Sequence, residues 1–282
     1  MPVPSSGPAL AVSAVIVDYH MHLRNPAEEV EHTLGAVELF LETAAERGVD
    51  EIGFAEHVYY FRQTFEVWDL QYQIERCVYD LDAYCNVVLD AKQRGLPVKL
   101  GLEVDYVGAR QQRLAELIAG YPWDYLLGSV HYIGELSVDG EEPLLLDAVG
   151  VEEAWRLYFE TLAAAARSGL FDSLSHPDLV KIFGPRAASF DYGPVVAAIA
   201  DSGVAVEVST AGLRKPVREL YPHPEFLARC RAQGIPVTLA SDAHSPDVVG
   251  RDFDRALELL RAAGYETLTV FEQRHGRQEP LG

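Results

Sequence analysis

The residues Val12–Val17 (VSAVIV) and the pentapeptide directly after them, Asp18-Tyr19-His20-Met21-His22, form the stretch that decides the fold. The first six are apolar and largely β-branched, which predicts a buried strand. His20 and His22 are two positions apart, so on a strand both imidazoles point to one face and can reach one metal ion. A lone His-x-His pair is weak evidence for a metal site. The interpretation therefore depends on the residues at the ends of the later strands.

Beyond this strand, short apolar runs alternate with segments of helical periodicity, a pattern that predicts parallel βαβ units. Six further strands are predicted at residues 51–55, 98–104, 124–130, 171–175, 204–208 and 237–240, and a short run at 267–271 is compatible with another. One long helix is predicted over residues 72–94, because glycine and proline end the pattern only at Gly95-Leu96-Pro97. No linker rich in proline, glycine or serine divides the chain, which favours one barrel over two domains.

An open, doubly wound sheet is the competing architecture. Such a sheet has a glycine-rich loop after its first strand, where this chain has His20 and His22 instead. The domain boundaries that we predict are a loose tail over residues 1–14, the barrel over 15–272 and a polar tail over 273–282.

Composition excludes several classes of function. The chain has 282 residues, 49% of them apolar, and a formal net charge of −20, which disfavours nucleic acid and anionic membranes as partners. Its first residues lack the basic and apolar regions of a signal peptide, and no run is long enough to span a membrane. Three cysteines without a CxxC pair indicate reduced thiols, so a cytoplasmic location is predicted.

Histidines and carboxylates collect at the ends of the predicted strands. These residues are His20, His22, Glu56, His57, Glu103, Asp105, His131, His176, Asp178, Glu207, Asp242 and His244. Because the C-terminal ends of parallel barrel strands converge on one face, we expect these side chains to share a site. Histidine and carboxylate ligands without cysteine are typical of zinc, manganese or iron. So many ligands indicate two or three divalent metal ions, as in enzymes that hydrolyse phosphate esters.

The same residues resemble the motifs of the PHP (polymerase and histidinol phosphatase) family. Over roughly residues 15–265 the matching segments are His20-Met-His22, Ala55-Glu-His57, Gly101-Leu-Glu103, Gly128-Ser-Val-His131, Ser175-His-Pro-Asp178 and Ser241-Asp-Ala-His244. Three further segments, FAEH at 54–57, YLLGSVHY at 125–132 and TAGLRKP at 210–216, resemble the histidinol-phosphatase branch of that family.

The resemblance implies a single α/β domain, a distorted (βα)7 TIM-like barrel with a trinuclear metal centre. The metal ligands that it implies are His20, His22, His57, Glu103, His131, His176, Asp242 and His244, and we predict Glu28 as a further ligand. Asp242 or His244 would orient the attacking water or protonate the leaving oxygen. Glu28 departs from the family, which usually has histidine at that position. Its carboxylate suits manganese or iron, but Glu28 and Glu29 also suit the first turn of a helix after Pro26.

The activity that the resemblance implies is hydrolysis of L-histidinol phosphate to L-histidinol and phosphate, in histidine biosynthesis, by attack of a metal-bridging hydroxide. The expected partner is thus a small-molecule phosphate monoester. Arg214 is our first choice for binding the phosphate and Lys181 the second, although both are also compatible with solvated loop charges. The alternatives are another small phosphate ester, such as a nucleotide or sugar phosphate, and a non-catalytic PHP module.

Other residues near the strand ends have two interpretations each. Glu56, Asp105 and Glu207 suit either the ammonium group of an amino-alcohol phosphate or support of the histidine ligands. The aromatic residues after the second motif form either a lid over an imidazole ring or part of the core: Tyr59, Tyr60, Phe61, Trp68 and Tyr72. The remaining histidines, His32, His223 and His275, are predicted to be solvated.

Overall fold

Eleven strands are present in the computed structural model, which describes residues 14–23, 32–140 and 143–282. They are β1 (Val17–Met21), β2 (Glu51–Phe54), β3 (Val98–Asp105), β4 (Tyr125–Ser129), β5 (Tyr132–Ile133), β6 (Leu136–Ser137), β7 (Ser173–Leu174), β8 (Ala205–Ser209), β9 (Val237–Ala240), β10 (Thr267–Glu272) and β11 (His275–Pro280). Seven of them form one parallel sheet in the order β1-β2-β3-β4-β7-β8-β9. Most of its strand residues are fully buried, as expected for a sheet with helices outside it and side chains within.

The first and last strands of this sheet meet and close it into a barrel. Met21 pairs in parallel with Ala243, just beyond β9. The His22 amide donates to the Ala243 carbonyl at 2.7 Å, and the Ala243 amide donates to the His20 carbonyl at 3.2 Å. The predicted seven-stranded barrel is therefore confirmed, and the open sheet is excluded.

Nine helices of the described residues connect the strands. They are α1 (Leu34–Glu46), α2 (Gln71–Arg76), α3 (Leu81–Gln93), α4 (Gln111–Ile118), α5 (Leu145–Val149), α6 (Val151–Arg167), α7 (Gly193–Ser202), α8 (Pro224–Ala232) and α9 (Phe253–Ala262). Helix α1 begins where the Thr33 hydroxyl accepts from the Ala36 amide at 3.2 Å. Among the described residues, no helix combines the length and apolar character that crossing a membrane requires.

The single helix predicted over residues 72–94 is wrong, because α2 and α3 are separate. Asp80 lies between them and caps α3, its carboxylate accepting from the Ala83 amide at 3.1 Å. The Tyr79 amide donates to the Tyr60 carbonyl at 2.9 Å, outside any helix. Helical periodicity continues across the break, so the side-chain pattern alone does not reveal it.

Residues 273–282, predicted to be a polar tail, instead contain β11. This strand pairs antiparallel with β10 from Thr267↔Pro280 to Glu272↔His275. The hairpin lies against the N-terminal ends of the barrel strands, where Arg274 pairs with Asp172 and Lys99 pairs with Glu272. The sequence pattern missed β11 because its side chains are mostly exposed, and backbone pairing rather than apolar burial holds it in place.

Aromatic rings fill the barrel interior at this N-terminal end. The Tyr125 ring centroid lies 5.3 Å from that of Tyr19 and 5.7 Å from that of Phe271, which belongs to the hairpin. Gly53 and Gly101 make room for Tyr125, since a Cβ atom at either position would overlap its ring or hydroxyl. The rings thus close one end of the barrel and leave the other end for the polar side chains.

Replacing Gly101 with alanine should therefore destabilise the fold by about 1–3 kcal/mol, the usual cost of overpacking a dense core. Urea unfolding measures the change. Gly35→Ala is the matched control: it lies in α1 with nothing near the added Cβ, and should leave stability unchanged or raise it by up to about 1 kcal/mol. Equal stability of the two variants would contradict the close packing of Tyr125.

Candidate metal centre

The opposite, C-terminal end of the barrel brings together every ligand predicted from the sequence except Glu28, which lies outside the described residues. The side chains form four groups, and within each group one nitrogen or oxygen atom per residue lies within 4.8 Å of the others. The groups are His20, His22 and Asp242; His20, Glu103 and His176; His57, Glu103 and His131; and His22, His57 and His244. Shared members make this one continuous cluster, and Glu103 lies at its centre.

Several ligand atoms in this cluster are buried without a hydrogen-bond partner. They are His20 Nε2, His22 Nε2, His57 Nδ1 and Glu103 Oε2. Glu103 Oε2 lies 3.3 Å from His20 Nε2 and 2.7 Å from His57 Nδ1, but the atoms are not aligned for hydrogen bonds. Buried polar atoms are rarely left unsatisfied. Lone pairs of nitrogen and carboxylate oxygen that converge on a shared space fit divalent cations.

Two carboxylates in the cluster are held in the ionised form. Burial alone would raise the pKa of Glu103, but His20, His57 and His131 hold that pKa well below its usual range. Burial opposes ionisation of Asp242 in the same way, and His20, His22 and His244 lower its pKa well below normal. Ionised carboxylates are the form that binds a metal.

A second set of carboxylates holds the imidazoles from behind. Glu207 Oε2 accepts from His20 Nδ1 at 2.9 Å, and Asp105 Oδ1 accepts from His131 Nδ1 at 2.9 Å. Glu56 lies 3.4 Å from His22 Nδ1. The two hydrogen bonds fix the rings of His20 and His131 and direct their Nε2 atoms into the cluster, as the outer partners of metal-bound histidines do. Of the two interpretations of these acidic residues, the geometry favours support of the histidines.

Replacing Glu207 with glutamine should accordingly weaken metal binding about 10- to 100-fold, the usual effect of losing such an outer partner. Glu207 also accepts from the His176 amide at 3.1 Å, and the single oxygen of glutamine can keep only one of these two hydrogen bonds. Titration of the metal-stripped protein with Zn²⁺ measures the change. Glu258→Gln, on the exposed face of α9, is the matched control and should bind as the wild type does. Unchanged Zn²⁺ affinity in Glu207→Gln would contradict the proposal that Glu207 orients His20 and His176.

The backbone at Asp242 has an unusual conformation, and hydrogen bonds to Asp18 hold the neighbouring segments in place. Its φ is 52°, in the left-handed region that most side chains avoid. Asp18 holds the segments on both sides, because its carboxylate accepts from the Ser241 amide at 2.8 Å and from the Gly250 amide at 2.9 Å. Asp18 precedes His20 in the opening strand, and no sequence pattern indicated its supporting role.

The cluster opens into a cleft of about 170 Å³. Four tyrosines line one side of it: Tyr59, Tyr60, Tyr72 and Tyr132. Tyr59 stacks on His57 with ring centroids 4.9 Å apart and lies 6.0 Å from Tyr72. The other polar residues of the lining include Asp139, Lys215 and Tyr221. Tyr59 and Tyr60 are thus packed among other side chains and also line the cleft, so core packing and contact with the cleft apply to them together.

The two cations predicted to bind phosphate lie in different surroundings. Lys181 is fully buried, where its ammonium donates to Asp178 and to the Leu220 carbonyl, each at 2.8 Å. Lys181 does not line the described cleft, so the structure does not place it where the predicted phosphate contact requires. Arg214 donates to the carbonyls of Thr210 and Ser241, next to Asp242, and its phosphate contact remains a prediction. Among the described cleft residues, Lys215 is the one lysine or arginine.

His32, predicted to be solvated, is buried instead. Its side chain is 4% exposed, and its Nε2 lies 3.3 Å from Glu56 Oε1. Its ring packs against Phe61 and Tyr84 at centroid distances of 6.1 and 5.2 Å. The sequence around it is polar, so it gave no sign of burial. His32 therefore joins the network behind His22 through Glu56.

A closed parallel barrel with a buried histidine and carboxylate cluster at its C-terminal end defines the class of the protein as a metal-dependent hydrolase. The sequence matches the PHP domain over residues 18–211. The chain belongs to the PHP family, which confirms the resemblance that its motifs indicated.

Two related proteins and one solved structure match this chain over most of its length. A protein of Deinococcus radiodurans named "Probable histidinol-phosphatase" is 32% identical over 268 residues, which cover 92% of this chain and 97% of the relative. "Histidinol-phosphatase" of Lactococcus lactis subsp. lactis is 25% identical, covering 90% and 94%. A crystal structure of histidinol phosphate phosphatase from that organism, with zinc, L-histidinol and phosphate, has a TM-score of 0.71 at 22% identity and covers 94% and 100% of the chains, which supports the fold.

Proposed function

We propose that the chain hydrolyses L-histidinol phosphate to L-histidinol and inorganic phosphate. The observation that carries this proposal is the buried ligand cluster, opening into a cleft that has an aromatic side and a cation. The names of the relatives from Deinococcus radiodurans and Lactococcus lactis support the same substrate.

The phosphoryl group belongs at the metal cluster. His20, His22, His57, Glu103, His131, His176, Asp242 and His244 would hold two or three divalent ions, and Glu28 remains a predicted further ligand. Such ions supply positive charge that binds phosphoryl oxygens and activates water. The surrounding chain has a net charge of −20, but ionic screening over about 10 Å at 0.1 M salt lets the local charge dominate. Lys215 adds a cation on the cleft wall.

Asp242 and His244 are the chain's groups for the proton steps. The ionised Asp242 carboxylate is suited to orient the attacking water and to accept a hydrogen bond from it. His244 is 38% exposed, so it faces the cleft mouth where the alcohol leaves. In the reaction, the attacking water loses a proton as its oxygen bonds to phosphorus, the ester P–O bond breaks, and the alcohol oxygen takes up that proton by way of Asp242 or His244.

The organic part of the substrate fits the tyrosine side of the cleft. An imidazole ring can stack against Tyr59 or Tyr72, which gains more than its buried area alone provides. We include a reducing, cytoplasmic location in the proposal, since Cys77, Cys85 and Cys230 are all free thiols.

The deciding experiment measures phosphate release from L-histidinol phosphate, with metal content determined on the same sample. We expect turnover with two or three ions per chain. A fully loaded protein that releases no phosphate from any monoester would refute the proposal. Preferred hydrolysis of a nucleotide or sugar phosphate in a competition assay would keep the phosphatase and change its substrate.

A further inference from the structure

We propose that Asp139 is the specificity-determining residue that binds the ammonium group of an amino-alcohol phosphate. This inference rests on the proposed phosphatase function and adds the group that selects the substrate. L-Histidinol phosphate carries an ammonium on the carbon next to the CH2–O–P unit. A phosphate held at the metal cluster therefore brings a positive charge to the adjacent wall of the cleft.

Elimination among the carboxylates leads to Asp139. The described cleft lining contains three carboxylates: Glu103, Asp139 and Asp242. Glu103 and Asp242 both belong to the candidate metal groups. The carboxylates behind the cluster, Glu56, Asp105 and Glu207, are engaged with histidines. Asp139 is thus the carboxylate of the described cleft that remains for an organic cation.

The position of Asp139 is fixed relative to the metal cluster. Strands β5 and β6 form a hairpin directly after His131, and Asp139 follows β6. The Val138 amide donates to the His131 carbonyl at 2.8 Å, which ties the residue before Asp139 to a metal-ligand candidate. The Gly140 amide donates to Ser137 Oγ at 2.9 Å and closes the turn around Asp139. Hydrogen bonds on both sides therefore fix the main chain at Asp139, and its side chain lines the same cleft as the cluster.

The surroundings of Asp139 suit an organic cation. Within the part of the chain that the structure describes, no lysine, arginine or histidine forms an ion pair with Asp139. Tyr132 and Tyr221 line the same cleft. Burial raises the pKa of both phenols, and the negative charge of Asp139 raises it further. Neutral phenols beside an unpaired carboxylate leave the negative charge available to a ligand, and aromatic faces also attract cations.

Asp139→Asn tests the inference, because asparagine keeps the shape of the side chain and removes its charge. The substrates are L-histidinol phosphate and 3-(imidazol-4-yl)propyl phosphate, which lacks the ammonium. We expect the variant to lose about 10- to 100-fold in kcat/KM on the first, mainly through KM, as for a lost charge-assisted hydrogen bond. The des-amino substrate should change less than about threefold, since it makes no such bond.

Glu135→Gln is the matched control, since Glu135 is an exposed residue of the same hairpin and does not line the cleft. It removes one charge from the same region and should retain the wild-type preference. Equal losses on both substrates in Asp139→Asn would assign Asp139 a structural role. A wild-type enzyme that hydrolyses both substrates equally well would also overturn the inference, while leaving the phosphatase activity intact.

A binding measurement distinguishes failure of the Asp139 inference from failure of the proposed phosphatase function. Calorimetry with L-histidinol and its des-amino analogue, in the presence of inorganic phosphate and bound metal, requires no turnover. A wild-type preference for L-histidinol that disappears in Asp139→Asn supports the ammonium site even if hydrolysis is absent. No preference in the wild type refutes the ammonium site whatever the enzyme hydrolyses.

Discussion

Asp242→Asn should lower kcat by at least about 10³-fold, equivalent to about 4 kcal/mol of transition-state stabilisation. Asp242 is a candidate metal ligand and also the carboxylate that we propose to orient the attacking water. The amide keeps the volume of the side chain and loses its negative charge. Asparagine also tolerates the positive φ of 52° at this position better than most residues do.

Three measurements are needed to interpret the Asp242→Asn variant. Phosphate release reports kcat, elemental analysis reports metal content, and thermal unfolding reports the fold. We expect the melting temperature to stay close to that of the wild type, because the Asp18 bonds to Ser241 and Gly250 do not involve the Asp242 side chain. Asp242→Ala should lose as much activity and somewhat more stability, since alanine is less suited to positive φ. Activity retained in both variants would refute the role of Asp242.

Glu103→Gln should have a large effect on metal content, because Glu103 is the one carboxylate that belongs to two of the four ligand groups. Its Oε1 lies 3.1 Å from His176 Nε2 and 3.3 Å from His131 Nε2, and its Oε2 faces His20 and His57. Loss of the carboxylate charge at this central position should remove at least one ion per chain. Activity should fall by about 10³-fold or more, since charge stabilisation is usually the largest catalytic term.

Elemental analysis after gel filtration checks this prediction. Glu116→Gln, on exposed helix α4, changes charge equally and should retain the wild-type metal content. Unaltered metal content in Glu103→Gln would show that binding of the ions does not depend on the Glu103 carboxylate. The expected pattern differs from that of Asp139→Asn, which should keep its full metal content.

The barrel and its ligand cluster were predictable because both depend on regular patterns. His20 and Glu103 lie within strands, and His22 and Asp242 come directly after strands, so parallel topology alone brings them to one end. The surroundings of the cations predicted to bind phosphate were harder to predict. Lys181 and Arg214 lie in loops, where no sequence period fixes the direction of a side chain. Lys215 is adjacent to Arg214, yet only the backbone conformation determines which of them lines the cleft.

Local polarity gave the wrong prediction in two other places. The polar surroundings of His32 indicate solvent, but Glu56 and aromatic rings from distant positions bury it. The polar residues 275–280 indicate a tail, but backbone hydrogen bonds make them a strand. The partners of His32 are distant in the sequence, whereas β11 pairs with the adjacent strand β10 but has too few buried apolar side chains to show an alternating pattern.

The closure between Met21 and Ala243 has a consequence for how the site assembles. His20 lies in β1 and His22 directly after it, whereas Asp242 comes after β9, so more than 200 positions separate residues of one ligand group. Contacts between such distant positions form slowly, because a long loop must close first. The ligand group cannot exist until the two ends of the barrel have met. Ions bound across this seam then favour the closed form by mass action, and a chelator should increase amide hydrogen exchange at the seam before exchange rises elsewhere in the sheet.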